Sequence, residues 1–533
     1  MNGIPNAARR PARVRSGVLA LVLFVFALAP PAPAQNVSAE EVVLENGLRL
    51  LLVPRKGEPT VAAGWIARVG SVNERPGITG IAHLFEHMMF KGTRVIGTRD
   101  IEKNLEVMRE LDGVKAELSR LEAGLRRRQD LGEVPDPPRP EDLPPGYADL
   151  KRRFDELTAL EKELLVKNEF DRVYTAAGAT GMNAGTAWDF TVYFIQVPAN
   201  KIELWFWMES DRLLHPVFRE FYSERDVVRE ERRLRTESTP TGRFEEQFEA
   251  LFWQSSPYGW PVIGWPTDLE KITREEARSF FDVYYAPNNI TACLVGDFDP
   301  KAATELARRY FGRLPRGPRE PEAIRTREIE QVAERRMVAF AEAKPEARIR
   351  YHTVPDGHVD DFALTVLAGV LSGRSGRLFQ RLVIEEGVAT EVAAFQQSFK
   401  YEGFFELRGF AKPPAGPEDV ERKLIAELER LKTEPVSGRE LEKVKNQLAA
   451  ANFRQLRSGF SLLLQLLLRD AYRGWQTINT DPPRLEAVTA ADIQRVAAKY
   501  FRDENRSAIL FFPKDAAAPK GRVPGPEKTQ GTP

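Results

Sequence analysis

One stretch of this chain occurs twice, and that recurrence constrains the fold more than any other feature. Thr273-Arg274-Glu275-Glu276-Ala277, leading to Tyr284-Tyr285 and Asn288-Asn289-Ile290-Thr291-Ala292, matches Thr489-Ala490-Ala491-Asp492-Ile493, leading to Tyr500-Phe501 and Glu504-Asn505-Arg506-Ser507-Ala508. Every matched pair is offset by 216 residues. Each copy reads as a helix, an aromatic pair, an Asn-containing turn and a strand. The spacing predicts an α+β fold built from two copies of one domain, over residues 37–312 and 337–512, with 313–336 as a Pro- and charge-rich linker.

The ends of the chain fall outside that plan. Arg9, Arg10, Arg13 and Arg15 precede an apolar run from Gly17 to Ala29 and the small-residue site Ala32-Pro33-Ala34, so residues 1–34 read as a secretory signal. The run is too short to favour a membrane span. Its removal takes four of the 77 basic residues and none of the 77 acidic ones, leaving a mildly acidic chain with nothing to suggest nucleic acid. Cys293 is the only cysteine and has apolar neighbours, so it reads as a buried strand residue. An exported chain without disulfides is expected in a bacterial periplasm. Residues 513–533, rich in Pro, Gly and Lys, read as a disordered tail.

Within the first copy, Glu41–Leu44, Leu48–Val53 and Val61–Val69 read as strands, with a turn at Asn46-Gly47. Ile81, Ala82, Leu84, Phe85, Met88, Met89 and Phe90 then mark a buried helix that also carries His83, Glu86 and His87. Burying two imidazoles and a carboxylate is costly unless they are paired or bind a metal. At i and i+4 the two imidazoles converge on one ion with Glu86 beside it, the H-x-x-E-H order of inverzincins. A catalytic zinc takes three protein ligands and keeps one position open. The acidic candidate is the segment Glu224–Glu231, where Glu224 and Glu231 share a helix face, so one can ligate while the other braces the site.

Farther along, Ile101 to Leu125 and Leu150 to Leu164 carry apolar residues at steps of three and four, separated by six prolines between Pro135 and Pro145. No helix crosses such a stretch. Residues 101–170 therefore read as a long helical hairpin inserted in the first domain.

His83 to His87 with Met88-Met89-Phe90-Lys91-Gly92-Thr93, Met182-Asn183-Ala184 with Asp189-Phe190-Thr191, and Glu224 to Glu231 together resemble the pitrilysin family of zinc metallopeptidases, in its mitochondrial processing peptidase-like branch. Ser256-Pro257-Tyr258-Gly259, Ile263-Gly264 and Tyr284 to Asn289 extend the resemblance over roughly residues 40 to 512. It implies two α/β-sandwich-like domains, each a mixed sheet with helices packed on it, forming half of a clamshell. It further implies Zn2+ held by His83, His87 and Glu231, with Glu86 as general base and Glu224 in support. An extended peptide would bind as an added strand, with Asn183 and Ala184 in the substrate-contacting turn and Phe190 to Val197 as the adjoining strand.

Two departures from the family pattern bear on function. His87 and Glu231 stand 144 residues apart, roughly twice the family separation, and the hairpin accounts for the excess, so it is expected to stand outside the zinc site. The family's second copy also supplies an Arg and, seven residues later, a Tyr that steady the substrate; here those positions fall on Val383 and Thr390, with Arg377 and Arg381 out of register. The expected protein is a periplasmic zinc endopeptidase for extended peptides or unfolded polypeptides. It is expected to work as a heterodimer with a sibling chain that supplies the pair, a homodimer being the other arrangement. The alternative is a non-catalytic structural or assembly subunit.

Overall fold

The computed structural model describes residues 36–516. The signal segment 1–34 and the tail beyond residue 516 lie outside the described residues. The first half comprises β1 (Glu40–Val43), β2 (Arg49–Pro54), β3 (Thr60–Ala67), α1 (Ile81–Met88), α2 (Ile101–Asp130), α3 (Tyr147–Leu164), α4 (Glu169–Ala176), β4 (Thr180–Thr186) and β5 (Thr191–Pro198). It continues with α5 (Ile202–Leu214), α6 (Phe221–Arg232), α7 (Gly242–Phe252), α8 (Arg274–Tyr284), β6 (Ile290–Gly296) and α9 (Pro300–Tyr310). The second half comprises β7 (Arg335–Ala341), β8 (Glu346–Thr353), α10 (Val359–Leu371), β9 (Ala389–Ser398), β10 (Gly403–Ala411) and α11 (Pro417–Thr433). After these come α12 (Gly438–Arg457), α13 (Gly459–Tyr472), α14 (Thr477–Glu486), α15 (Ala490–Tyr500) and β11 (Arg506–Pro513).

The internal repeat reappears as shared topology. The sheets run β1-β2-β6-β3-β5-β4 and β7-β11-β8-β10-β9. In the first, β6 lies parallel to β2 and antiparallel to β3; in the second, β11 lies parallel to β7 and antiparallel to β8. Thr273 and Thr489 close capping boxes with Glu276 and Asp492 at the starts of α8 and α15, satisfying N–H groups the helices leave open. Asn289 and Asn505 each donate Nδ2 to the carbonyl of the tyrosine five residues earlier, at 2.8 Å. Each also bonds the backbone at a neighbouring strand, Arg68 O just past the end of β3 and His352 O within β8. The recurring Asn thus ties a helix end to a sheet.

Strand alternation separates the two faces of each sheet. In the first, Val61, Ala63, Trp65, Tyr193, Ile195 and Val197 face the core beneath α1. The opposite face is covered by α13 from the second half, whose Leu462, Leu463, Leu466 and Leu467 are buried and whose Phe460 and Tyr472 meet Phe194 and Phe190. Asp470 of α13 is anchored there by Arg49 at 2.8 Å, Arg68 at 2.6 Å and the Thr291 hydroxyl at 2.6 Å. The cover is reciprocal, since α7 of the first half packs on the second sheet. Its Phe248 joins Ala339, Ala341, Ile509 and Phe511, while Glu245 and Glu249 pair with Arg348 and Arg350 at 3.2 and 2.6 Å.

The hairpin is α2 against α3, whose cross-links Glu110–Arg153 and Glu122–Tyr147 make the pair antiparallel. At its base, Asp112 accepts the Tyr222 hydroxyl and the Arg274 guanidinium, and Glu161 accepts the Glu220 N–H. The hairpin thus leans on the start of α6. The stretch expected as a linker is stitched down: the Glu328 carboxylate accepts the N–H groups of Gln254, Ser255 and Ser256 at 3.0 Å. Its end already belongs to β7, which begins at Arg335.

Candidate metal centre

The centre is set by how α1 begins. Its N-cap, Gly80, has φ 89°, and a Cβ there would sit 2.6 Å from Ile263 O. Only glycine fits that left-handed, crowded position, and the same holds for Gly264, at φ 85°, where a Cβ would sit 2.5 Å from Gly80 Cα. The Glu74 carboxylate accepts Gly80 N–H at 2.8 Å and Ala82 N–H at 2.9 Å. Burial pushes the Glu74 carboxyl well above the usual range, against the pull of those two bonds. Ile81, Ala82, Leu84, Phe85 and Met88 fix the buried stripe of α1, leaving His83, Glu86 and His87 on the polar one.

Glu231 reaches across from α6. Its Oε2 lies 3.3 Å from His87 Nε2 and 3.8 Å from His83 Nε2, and one ligand atom from each of the three residues falls within 4.8 Å of the others. Zinc bonds of about 2.0–2.2 Å put tetrahedral neighbours roughly 3.3–3.6 Å apart, so this donor set fits that ion with little adjustment. His87 Nδ1 faces Glu224 Oε2 at 3.5 Å, and Lys91 Nζ holds the other Glu224 oxygen at 2.5 Å. Burial, with the charges of His87 and Arg235, pulls the His83 imidazole down to about 3, which keeps it neutral and able to donate a lone pair. For His87, burial also pulls downward, but the Glu224 bond and the Glu231, Glu224 and Glu86 charges prevail and its net shift is upward. Burial would raise the Glu224 carboxyl, yet its bonds to His87 and Lys91 hold it below the usual range.

Glu86 stands beside these atoms, with Oε2 accepting the Thr186 hydroxyl at 2.7 Å. Glu230, next to Glu231, turns to solvent and pairs with Arg233 at 2.6 Å. No residue of the hairpin joins this cluster among the described residues.

The expected contact turn is a strand. Asn183 and Ala184 lie in β4, the edge of the first sheet, paired with Phe194 and Tyr193. Met182-Asn183-Ala184-Gly185 has a turn-like composition, but Gly181, at φ 66°, sits in a register shift between Thr180 and Asn183 and the strand continues. Ala184 shares the face of Tyr193, whose hydroxyl reaches Phe85 O, so it looks toward α1. Asn183 shares the opposite face with Phe194, and its side chain folds back on the Ala184 N–H. Thr186 and Arg235 also touch the site, through Glu86 and Glu231, and spacing along the chain reaches both. Thr186 is two strand positions beyond Ala184, and Arg235, 2.8 Å from Glu231 Oε1, is one helical turn beyond Glu231.

Val383 and Thr390 lie in the second half. Val383 packs against that half's core, and the Thr390 hydroxyl is 3.5 Å from Phe410 O. Arg377 is paired with Glu440 at 2.8 Å, and Arg381 with Glu386 at 3.2 Å.

Known proteins resemble this chain over most of its length. The family model described as Insulinase (Peptidase family M16) matches residues 49–111, and the one described as Peptidase M16 inactive domain matches residues 271–448. The chain is 25% identical over 510 residues to the zinc protease PqqE of Helicobacter pylori, covering 93% of this chain and 98% of that protein. It is 23% identical over 373 residues to the mitochondrial-processing peptidase subunit beta of Lentinula edodes, covering 64% and 76%. Among solved structures, a protease from Helicobacter pylori superposes with a TM-score of 0.72 at 23% identity, covering 89% of this chain and 99% of that one. The periplasmic protease PqqL from Escherichia coli gives 0.65 at 16% identity, covering 92% of this chain and 50% of that one. Together these matches support a pitrilysin-like peptidase of the M16 family.

Proposed function

We propose that this protein is a zinc-dependent endopeptidase that cleaves extended peptides or unfolded polypeptides. The observation that carries the reading is the convergence of His83, His87 and Glu231, with Glu86 alongside. Bound zinc would supply Lewis acidity toward a water and a peptide carbonyl. With Oε2 held by Thr186, Glu86 uses Oε1 to take the proton of the attacking water and returns it to the leaving amine. Glu224 and Lys91 hold His87 so that its Nε2 faces Glu231. β4 offers the free edge along which a peptide can lie as an added strand, bringing its backbone past Glu86.

A sibling chain completes the site in this reading. Val383 has no donor, Thr390 is too short, and Arg377 and Arg381 are held by acids of their own half. That PqqL is about twice the length of its match to this chain supports a chamber made of two such units. In this reading the segment 1–34 exports the chain to a periplasm, a destination compatible with a single, buried cysteine that can form no internal disulfide. The second reading is a non-catalytic assembly subunit, favoured by the inactive-domain match at residues 271–448; all four cluster residues lie outside that match. Turnover of an unstructured peptide, by the chain alone and with a sibling, separates the readings. Zinc-dependent cleavage that disappears in Glu86→Gln supports the peptidase, and cleavage untouched by Glu86→Gln overturns it. Full activity of the chain alone overturns the need for a sibling.

A further inference from the structure

Four arginines follow one another through the end of α6 and the turn after it. Arg229 pairs with Asp226 at 3.3 Å, Arg232 with Glu246 at 2.7 Å and Arg233 with Glu230 at 2.6 Å. The fourth, Arg235, pairs with the metal-facing carboxylate itself, Nη1 to Glu231 Oε1 at 2.8 Å, while 71% of its side chain is exposed. Its other N–H groups have no partner among the described residues. An exposed Glu–Arg pair one turn apart is ordinary on a helix and is worth a few tenths of a kcal/mol. Here, however, the helix changes to a π-helical turn at Arg233–Glu237, a local distortion frequent at functional sites. Val227 and Leu234, four residues before and three after Glu231, lie along the same side of the helix and are 48% and 55% exposed. An apolar, cation-bearing strip therefore runs from the metal-facing carboxylate into solvent, with β4 across α1 from it.

We propose that this strip is a substrate-contact surface. The Arg235 guanidinium donates to a main-chain carbonyl of an extended peptide lying between β4 and α6, and Leu234 and Val227 receive an apolar side chain of that peptide. Glu231 orients the guanidinium through Oε1 and keeps Oε2 toward His83 and His87. The first half thereby supplies in its own chain part of the substrate grip that Val383 and Thr390 do not. This rests on the peptidase reading given above.

The test is binding rather than turnover. The full chain carrying Glu86→Gln is loaded with zinc, its zinc content is measured, and the affinity of a fluorescein-labelled unstructured peptide is read by anisotropy. Adding Arg235→Gln is expected to weaken binding by about tenfold or more at unchanged zinc content, the worth of a hydrogen bond from a charged donor. Arg235→Lys is expected to recover part of the loss, and Leu234→Ser to weaken binding by a smaller factor. Affinity within twofold of the parent, or a loss of zinc that accounts for the weakening, overturns the proposal while leaving the peptidase reading intact. A parent that binds neither zinc nor peptide overturns both.

Discussion

The two halves share a topology, a capping box and an Asn-tied strand at one offset, yet they spend their polar residues differently. In the first, α1 follows β3 and carries His83, Glu86 and His87 toward Glu224 and Glu231 of α6. In the second, α10 follows β8 at the same place in the topology, and its buried residues are almost all apolar. Glu440, which stands 216 residues after Glu224, is drawn into a pair with Arg377. The outer covers differ too: α13 brings leucines and one buried aspartate, whereas α7 brings two glutamates onto a ladder of Glu346, Arg348, Arg350 and Glu406. A duplicated scaffold is stable with either filling, so chemistry depends on a few side chains at a helix and its neighbour rather than on the fold.

The comparison can be broken most sharply at its polar residues. Glu86→Gln is expected to lower kcat by about 10²–10⁴-fold, whereas Glu440→Gln in the second half leaves kcat within about twofold, measured on one peptide under saturating conditions. At the covers, Asp470→Ala is expected to cost about 3 kcal/mol in denaturant unfolding, because it strands two guanidiniums beside a buried site. Glu249→Ala, whose carboxylate is partly solvated, should cost about 1 kcal/mol or less. Equal losses at the two covers would erase the distinction drawn between them. Glu224→Ala is expected to weaken zinc binding by about 10–100-fold in competition with a chromophoric chelator, since it frees His87 Nδ1.

A pH-dependent effect sits where the halves meet. Asp189 follows β4 and accepts the Tyr258 hydroxyl at 2.9 Å and the Lys400 N–H at 3.2 Å. Burial raises its carboxyl to about 6, against the pull of those bonds. The folded chain therefore keeps this proton to higher pH than the unfolded chain, and stability falls as pH rises through about 4 to 6. The loss should be about 3 kcal/mol, and Asp189→Asn should flatten it in unfolding curves taken across that window.

Much of this was legible in the sequence because it depends on local spacing. The offset of 216, the i and i+4 histidines and the proline-broken hairpin each follow from chain geometry over a few turns. β4 was not legible as a strand: glycines and Asn183 favour a turn locally, and pairing with β5 overrides them. The exchange of α7 and α13 was also hidden, because an amphipathic helix shows that it has a partner but not which sheet that partner is. Thr186 and Arg235 needed the ligand positions first, since only their distance from Glu86 and Glu231 distinguishes them from other polar residues.

The most direct test is the zinc content of the purified chain beside two neighbouring variants, Glu231→Gln and Glu230→Gln. The geometry predicts one zinc per chain in the native protein and in Glu230→Gln, whose side chain faces Arg233, and loss of zinc in Glu231→Gln. Zinc retained equally by both variants, or absent from the native chain, would contradict the assignment of His83, His87 and Glu231 as the metal centre.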